Sequence, residues 1–206
     1  MGMEQCSRGC NCDKAKEQRI IYNKHKINKH IAITEVYMYQ ITDKATDLVK
    51  IEMMSGDGIV VELDAASAPI TVENFKNLVA QGFYNGLIFH RVISGFMIQG
   101  GDPQGTGMGG SKQTIKGEFM VNGVNNPISH ERGVISMARS QFYNSASSQF
   151  FICHADAKFL DGQYAAFGRV VEGIETVDKI AAVPTDRGDR PLHEQKMKSV
   201  YFVENV

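Results

Sequence analysis

The segment from Phe89 to Asp102, FHRVISGFMIQGGD, places one arginine and one glutamine among large apolar residues. Because Ser94-Gly95 is able to turn the chain, Arg91 and the following strand, Phe96–Gln99, are expected to face one surface. A guanidinium is always protonated and donates hydrogen bonds from a planar fork, and these bonds strengthen where apolar side chains exclude water. The segment therefore predicts a binding wall with one strong hydrogen-bond donor.

A second run, Gln149 to Ile152, has the same character. Side chains alternate across a strand, so Gln149 and Phe151 are expected on one face. Both segments also have a plainer interpretation, in which Arg91 is a surface salt-bridge partner and the phenylalanines only fill the core.

The sequence does not support the other common catalytic or cofactor-binding motifs. Residues 105–110 (GTGMGG) match the dinucleotide fingerprint, but the residues after them, SKQTIKG, lack the stripe of the helix that must begin there. A phosphate loop fails as well, because Ser-Lys follows in place of Lys-Ser/Thr. We interpret this segment as a glycine-rich surface loop. The chain has no Gly-x-Ser-x-Gly elbow, and its six histidines lack metalloprotease spacing.

The four cysteines argue against a disulfide framework. Cys6, Cys10 and Cys12 crowd into the N-terminus at a spacing that is not a recurrent zinc pattern, and Cys153 lies in an apolar strand, where a thiol is usually inert. We expect no metal. No run approaches the ~20 apolar residues of a membrane span, and no signal peptide is visible, so we expect a cytoplasmic protein. The net charge of −1 favours neither nucleic acid nor a membrane as partner.

The predicted strands and helices that carry these residues begin at Leu48. From there, short apolar runs alternate with turn residues, which favours a sandwich or a closed barrel. Two segments have the apolar stripe of a helix: Thr71–Ala80, which Thr71 can cap and Gly82 can end, and a stretch from Ile174 that Pro184 closes. Eight runs are predicted strands: Leu48–Met54, Gly58–Leu63, Leu87–Val92, Phe96–Gln99, Val134–Ala138, Gln149–His154, Tyr164–Val170 and Lys196–Val203.

Residues 1–47 differ from the rest of the chain. They have no clean period, and residues 1–30 carry seven Lys/Arg against three Asp/Glu. We predict a basic N-terminal extension that is partly disordered, followed by a single domain over residues 48–206.

Taken together, the strings in this domain resemble the cyclophilin family of peptidyl-prolyl isomerases. The resemblance covers about Leu48 to Val206, and its long ordered strings are far more specific than a short motif. Residues 105–110 and 161–168 look bacterial. The strings are Phe89–Asp102, Gly133–Ala138 (GVISMA), Ser148–Ile152 (SQFFI), Leu160–Gly162 (LDG) and Phe167-Gly168.

The resemblance implies a mainly β fold, a closed eight-stranded antiparallel barrel capped by two α-helices, in agreement with the strand count. It implies rotation about X-Pro bonds without a cofactor, with Arg91 as the catalytic residue. The substrate-binding residues that it implies fall into two sets. Those for the proline ring and its edge are Phe96, Met97, Phe151, Phe159, Leu160 and Tyr164. Those for the peptide backbone are Gln99, Ala138 and Gln149.

The implied partners are proline-containing peptides and unfolded proteins, and we expect a monomer. A proline-binding holdase with little turnover is the alternative. Three positions depart from the family pattern. Phe159 stands where many members have tryptophan, which predicts weak ciclosporin binding. Tyr164 replaces a histidine, and Arg139-Ser140 replaces the more usual Asn-Ala.

Overall fold

A computed structural model of the chain describes residues 39–205, which contain ten strands and two α-helices. Short 3₁₀ turns lie at Met120–Asn122 and Lys158–Leu160. The helices are α1 (Pro69–Ala80) and α2 (Ile174–Ala181). The strands are β1 (Tyr39–Ile41), β2 (Leu48–Met53), β3 (Gly58–Leu63), β4 (Ile88–Phe89), β5 (Arg91–Ile93), β6 (Met97–Gly100), β7 (Val134–Met137), β8 (Phe150–Cys153), β9 (Ala166–Glu172) and β10 (Gln195–Asn205).

The strands form one antiparallel sheet in the order β1-β10-β2-β3-β9-β7-β8-β6-β5, with β4 paired to β10. The mainly β, antiparallel architecture with two helices is confirmed, but a closed eight-stranded barrel is not. The predicted strand Leu87–Val92 is broken at His90. On one side β4 pairs with β10, and on the other β5 pairs with β6. His90 belongs to neither ladder, so the hydrogen-bonded sheet stays open at this point.

Alternation along the central strands creates two apolar layers. Ile98 of β6 and Phe150 of β8 belong to a large inner core, which also receives Phe75 of α1. Their neighbours Met97 and Phe151 point the other way, since successive side chains of a strand lie on opposite faces. They belong to a separate outer cluster, whose buried members are Met97, Phe151, Cys153, Ala157 and Leu160.

Helix α1 begins two residues before the predicted start. Its N-cap is Ala68, and Thr71 does not cap the helix. Instead the carboxylate of Glu118 accepts the backbone N–H groups of Ile70 (3.1 Å) and Thr71 (2.8 Å) and the Thr71 hydroxyl (2.7 Å). The helix therefore satisfies its first N–H groups with a residue far along the chain, which a local pattern does not reveal.

The predicted helix ends are confirmed. Gly82 follows α1 with φ +66°, a left-handed conformation that suits glycine, and α2 ends before Pro184. Within the described residues, no helix is both long and apolar enough to cross a membrane.

The predicted extension lies mostly outside the described residues, as do Cys6, Cys10 and Cys12. Part of residues 39–47 joins the sheet, because β1 pairs with β10 and the Thr46 hydroxyl donates to the Val203 carbonyl oxygen at 2.7 Å. This strand was not among the eight predicted.

Candidate active site

The outer faces of β5, β6 and β8 carry predicted site residues in one row. Arg91 pairs with Gln99 across β5 and β6, and Gln99 pairs with Phe151 across β6 and β8. Gly95 has φ +76° in the turn between β5 and β6, so the predicted turn at Ser94-Gly95 is confirmed. The register that this turn sets brings the guanidinium-bearing residue beside the glutamine.

These residues face a cleft of about 340 Å³, here called the apolar groove. Phe151 is almost fully buried in its floor, while Phe159 is 66% exposed at its rim, with its ring centroid 5.4 Å from that of Phe96. Ring faces around a buried floor suit a compact apolar ring as ligand. The groove brings together nine of the ten predicted site residues: Arg91, Phe96, Met97, Gln99, Ala138, Phe151, Phe159, Leu160 and Tyr164.

The Arg91 side chain is held from one side only. Its Nε contacts Asp189 Oδ2 at 3.4 Å, and both side chains are about two-fifths exposed. The Asp189 carbonyl oxygen accepts the Val92 N–H at 2.8 Å, and Asp189 adopts φ +64°. Within residues 39–205, the two terminal nitrogens of the guanidinium make no hydrogen bond. Arg91 therefore presents free N–H donors at the wall of the groove.

The tenth predicted residue, Gln149, lies next to the apolar groove. Its Oε1 accepts a hydrogen bond from Gln99 Nε2 at 2.9 Å, and its Nε2 donates to the carbonyl oxygens of Gly107 (3.0 Å) and Gly109 (2.7 Å). The two glutamine side chains are thus fixed in one orientation. The glycine-rich loop, interpreted from sequence as a plain surface loop, provides this support.

Asp102 organises that loop. Its carboxylate accepts the backbone N–H groups of Gln104, Thr106, Gly107 and Gly109 at 2.6 to 3.2 Å. Burial opposes ionisation, but these four donors prevail and hold the pKa of Asp102 below its usual range. In the sequence, Asp102 is only the last residue of a string that resembles the family, and its function in organising the loop was not predicted.

A second cleft of about 320 Å³, here called the polar groove, adjoins the first. The two grooves share Gln99, Ala138 and Arg139. Apart from these, serine, glycine, Met108 and Gln149 line the polar groove. A chain bound in the apolar groove can therefore continue along the polar groove, which the sequence did not predict.

Arg139 lies between the two grooves, and sequence reasoning noted it only as a departure. Its guanidinium carbon is 5.2, 5.3 and 4.6 Å from the ring centroids of Phe119, Tyr143 and Tyr164. Nε and Nη2 both donate to the Gln163 carbonyl oxygen, at 3.1 and 2.9 Å. The side chain is fixed by these contacts, in contrast to that of Arg91.

His130 supports the floor from behind. Its ring stacks on Phe151 at 6.1 Å between centroids and 17° between planes. Nδ1 lies 2.9 Å from Asp161 Oδ1, and Nε2 lies 3.0 Å from Ser136 Oγ. Burial lowers the pKa of His130 although the Asp161 carboxylate opposes this, so the ring is neutral at pH 7. Nδ1 then donates to Asp161, and Nε2 accepts from Ser136.

Residues 48–202 match the family model for cyclophilin type peptidyl-prolyl cis-trans isomerase/CLD. A Schizosaccharomyces pombe protein, peptidyl-prolyl cis-trans isomerase ppi1, is 41% identical over 152 residues, which are 73% of this chain and 96% of the relative. Arabidopsis thaliana peptidyl-prolyl cis-trans isomerase CYP18-1 is 44% identical over 148 residues, 71% of this chain and 91% of the relative. The chain spans only 27% of a Gibberella zeae relative, peptidyl-prolyl cis-trans isomerase-like 2.

Among solved structures, a Cryptosporidium parvum cyclophilin type isomerase determined in the presence of the dipeptide Ala-Pro has a TM-score of 0.69 and 34% identity, covering 75% of this chain and 97% of that one. The site and fold define a cyclophilin-like domain. With the family model matching most of its length, the chain belongs to the cyclophilin-type peptidyl-prolyl cis-trans isomerase family. The bacterial character suggested by the sequence is not confirmed by the yeast and plant relatives.

Proposed function

We propose that this domain accelerates cis–trans rotation about X-Pro peptide bonds in unfolded or nascent polypeptides. The observation that carries the proposal is the apolar groove, which combines aromatic walls with the partly free guanidinium of Arg91. The Cryptosporidium parvum structure determined with Ala-Pro supports a proline-containing ligand.

The chemistry requires no covalent step and no cofactor. Amide resonance opposes rotation with a barrier of about 18–20 kcal/mol. At the twisted state that resonance is lost, so the proline nitrogen becomes pyramidal and regains a lone pair. An N–H group of Arg91 donates to that lone pair, which neither planar isomer offers, and the contact therefore stabilises the transition state selectively.

The remaining residues hold the substrate during rotation. Phe96, Met97 and Phe151 contact the proline ring and exclude water, which strengthens the Arg91 hydrogen bond. Gln99 and Gln149 hold the flanking backbone. Because the glycine-rich loop fixes both amides before the substrate arrives, little conformational entropy is lost when they bind.

A holdase with little turnover would use the same groove. Binding a proline ring needs the apolar floor and walls, but it gains nothing from a donor aimed at a pyramidal nitrogen. Arg91 on the wall of the groove therefore favours the enzyme over the holdase.

The test is isomerisation kinetics on an Ala-Pro peptide. Arg91→Ala should lower kcat/KM by about 10²–10³-fold, the loss typical of a transition-state donor, with peptide affinity retained. Arg91→Lys should retain only part of the wild-type kcat/KM, because a lysine lacks the planar fork of the guanidinium. Arg169→Ala, on the exposed part of β9, is the matched control. A wild-type chain that gives no acceleration over the uncatalysed rate contradicts the proposal, and so does an Arg91→Ala variant as active as the control.

We further propose that residues 48–206 form the catalytic domain, that residues 1–47 are dispensable for chemistry, and that the protein is a cytoplasmic monomer. Deletion of residues 1–38 and deletion of residues 1–47 test where the catalytic domain begins, since only the second deletion removes β1. Weak ciclosporin binding is also proposed, because Phe159 offers no indole donor. Isothermal titration with ciclosporin measures it.

A further inference from the structure

Among residues 39–205, Arg139 is the one residue with an ionisable side chain that lines the polar groove, and it lines the apolar groove as well. We propose that Arg139 is a specificity-determining residue, which makes this enzyme prefer proline segments with a carboxylate side chain close to the proline. The inference rests on the proposed function and names a substrate class for it.

The first argument is the uncompensated charge. Within residues 39–205, no carboxylate lies within 4 Å of the Arg139 guanidinium. Arg91 and Arg132, in contrast, each contact an aspartate carboxylate. The hydrogen bonds of Arg139 go to neutral carbonyl oxygens, those of Gln163, Ser140 and, at 3.5 Å, Gln141. Aromatic faces attract a cation but do not cancel its charge. A substrate carboxylate is the partner that this arrangement still lacks.

The second argument is preorganisation. Three ring faces and three hydrogen bonds of 2.9 to 3.1 Å fix the guanidinium before any substrate binds. A long flexible side chain usually loses rotamer entropy when it forms an ion pair, and that loss cancels much of the gain at a protein surface. Arg139 has already lost this freedom on folding, so it gains more from a substrate carboxylate than a mobile surface arginine does.

The third argument is the sign of the surrounding charge. The residues that line the two grooves include Arg91 and Arg139 but no aspartate or glutamate. Because Asp189 contacts the Arg91 side chain, the uncompensated positive charge of the grooves is that of Arg139. Because the grooves share Gln99, Ala138 and Arg139, a peptide with its proline in the apolar groove places a near neighbour beside this guanidinium.

The experiment uses the full chain and X-Pro peptides that carry either Glu or Gln at one position, moved from two residues before the proline to two residues after it. Both kcat/KM and Kd are measured, with a neutral Ala-Pro peptide as reference. Wild type should prefer Glu to Gln by roughly threefold, as for a favourable exposed ion pair. The preference should occur on one side of the proline only and should shrink as the Debye length falls from about 30 to 3 Å between about 0.01 and 1 M salt.

The variants assign this preference to its residue. Arg139→Met should abolish it, Arg139→Lys should keep part of it, and Arg169→Met, which removes the same charge from β9, should leave it intact. A wild-type ratio near one overturns the inference, as does a ratio that persists in Arg139→Met. The wild-type peptide and salt series decide the matter even if Arg139→Met does not fold. A chain that binds the peptides without accelerating the neutral reference contradicts the proposed function, while its Kd ratio still decides the role of Arg139.

Discussion

The two faces of strands β6 and β8 carry equally apolar side chains for different purposes. On the inner face, Ile98 and Phe150 are fully buried and belong to the large core beneath α1. On the outer face, Met97 and Phe151 are also nearly buried, but their cluster is small and opens into the apolar groove.

Each of these strands therefore supplies both stability and a binding surface. A period of two separates the roles without any change in residue type, since Phe150 and Phe151 are adjacent and identical. What distinguishes them is what covers each ring. Phe150 contacts the rings of Phe75, Tyr84 and Phe89. Phe151 contacts the ring of His130 behind it and that of Tyr164, which lines the groove.

The largest expected effect comes from truncating these two rings separately. Phe150→Ala should lower the free energy of unfolding by about 3–5 kcal/mol, because it leaves a closed cavity in the core. Phe151→Ala should cost about 1.5–3 kcal/mol, the transfer term alone, because its space opens to the groove. Urea denaturation measures both values.

Activity separates the two variants in the opposite direction. Assayed well below its unfolding transition, Phe150→Ala should keep most of its kcat/KM, whereas Phe151→Ala should lose most of it through a higher KM. Equal stability losses together with equal activity losses would remove the distinction between the two faces.

Much of this arrangement was predictable from the sequence, because it depends on local alternation. The strings around Arg91, Gln99 and Phe151 fix which side chains share a face, and the family resemblance adds Phe159 and Leu160. The structure brings these residues together, and the turn predicted at Ser94-Gly95 accompanies the register that pairs Arg91 with Gln99.

The remainder depends on contacts between distant parts of the chain. Glu118 at the start of α1 and Asp161 beside His130 are partners 47 and 31 residues away from the groups they bind. The hydrophobic period of a single segment does not reveal such pairs. The open sheet has a similar cause, because His90 lies in an apolar run that reads as one strand, yet its backbone leaves the ladder.

An intermediate effect is expected at His130, which lies behind the outer face. Its pKa is lowered on folding, so below about pH 6.5, the usual value for histidine, the unfolded chain binds a proton that the folded chain does not. The stabilising contribution is complete above that pH and is lost as pH falls toward the folded pKa, by at most about 1.4 kcal/mol per pH unit.

Urea denaturation between pH 7.5 and pH 5 measures this loss. His130→Gln removes the titrating group and should flatten the dependence relative to wild type. His90→Leu is an informative comparison, because burial also lowers the pKa of His90 and its removal should flatten the same region. If the free energy of unfolding of His130→Gln falls with pH as steeply as that of wild type, other groups account for the loss of stability at acidic pH.

The smallest effect on stability is expected at the rim, where Phe159 is 66% exposed. Phe159→Ala removes a ring that is mostly exposed and that packs on Phe96, so the free energy of unfolding should change by no more than about 0.5 kcal/mol. The groove nevertheless loses one wall, so KM for an Ala-Pro peptide should rise severalfold with kcat nearly constant, the signature of binding shared by ground and transition states. Phe159→Trp, which keeps the wall and adds an indole N–H, should leave KM close to wild type and tighten ciclosporin binding. A rise in KM for Phe159→Trp as large as that for Phe159→Ala would show that the position tolerates only phenylalanine. In that case the rim of the outer face would be as closely packed as the inner core. The two faces would then differ in packing only around Phe151.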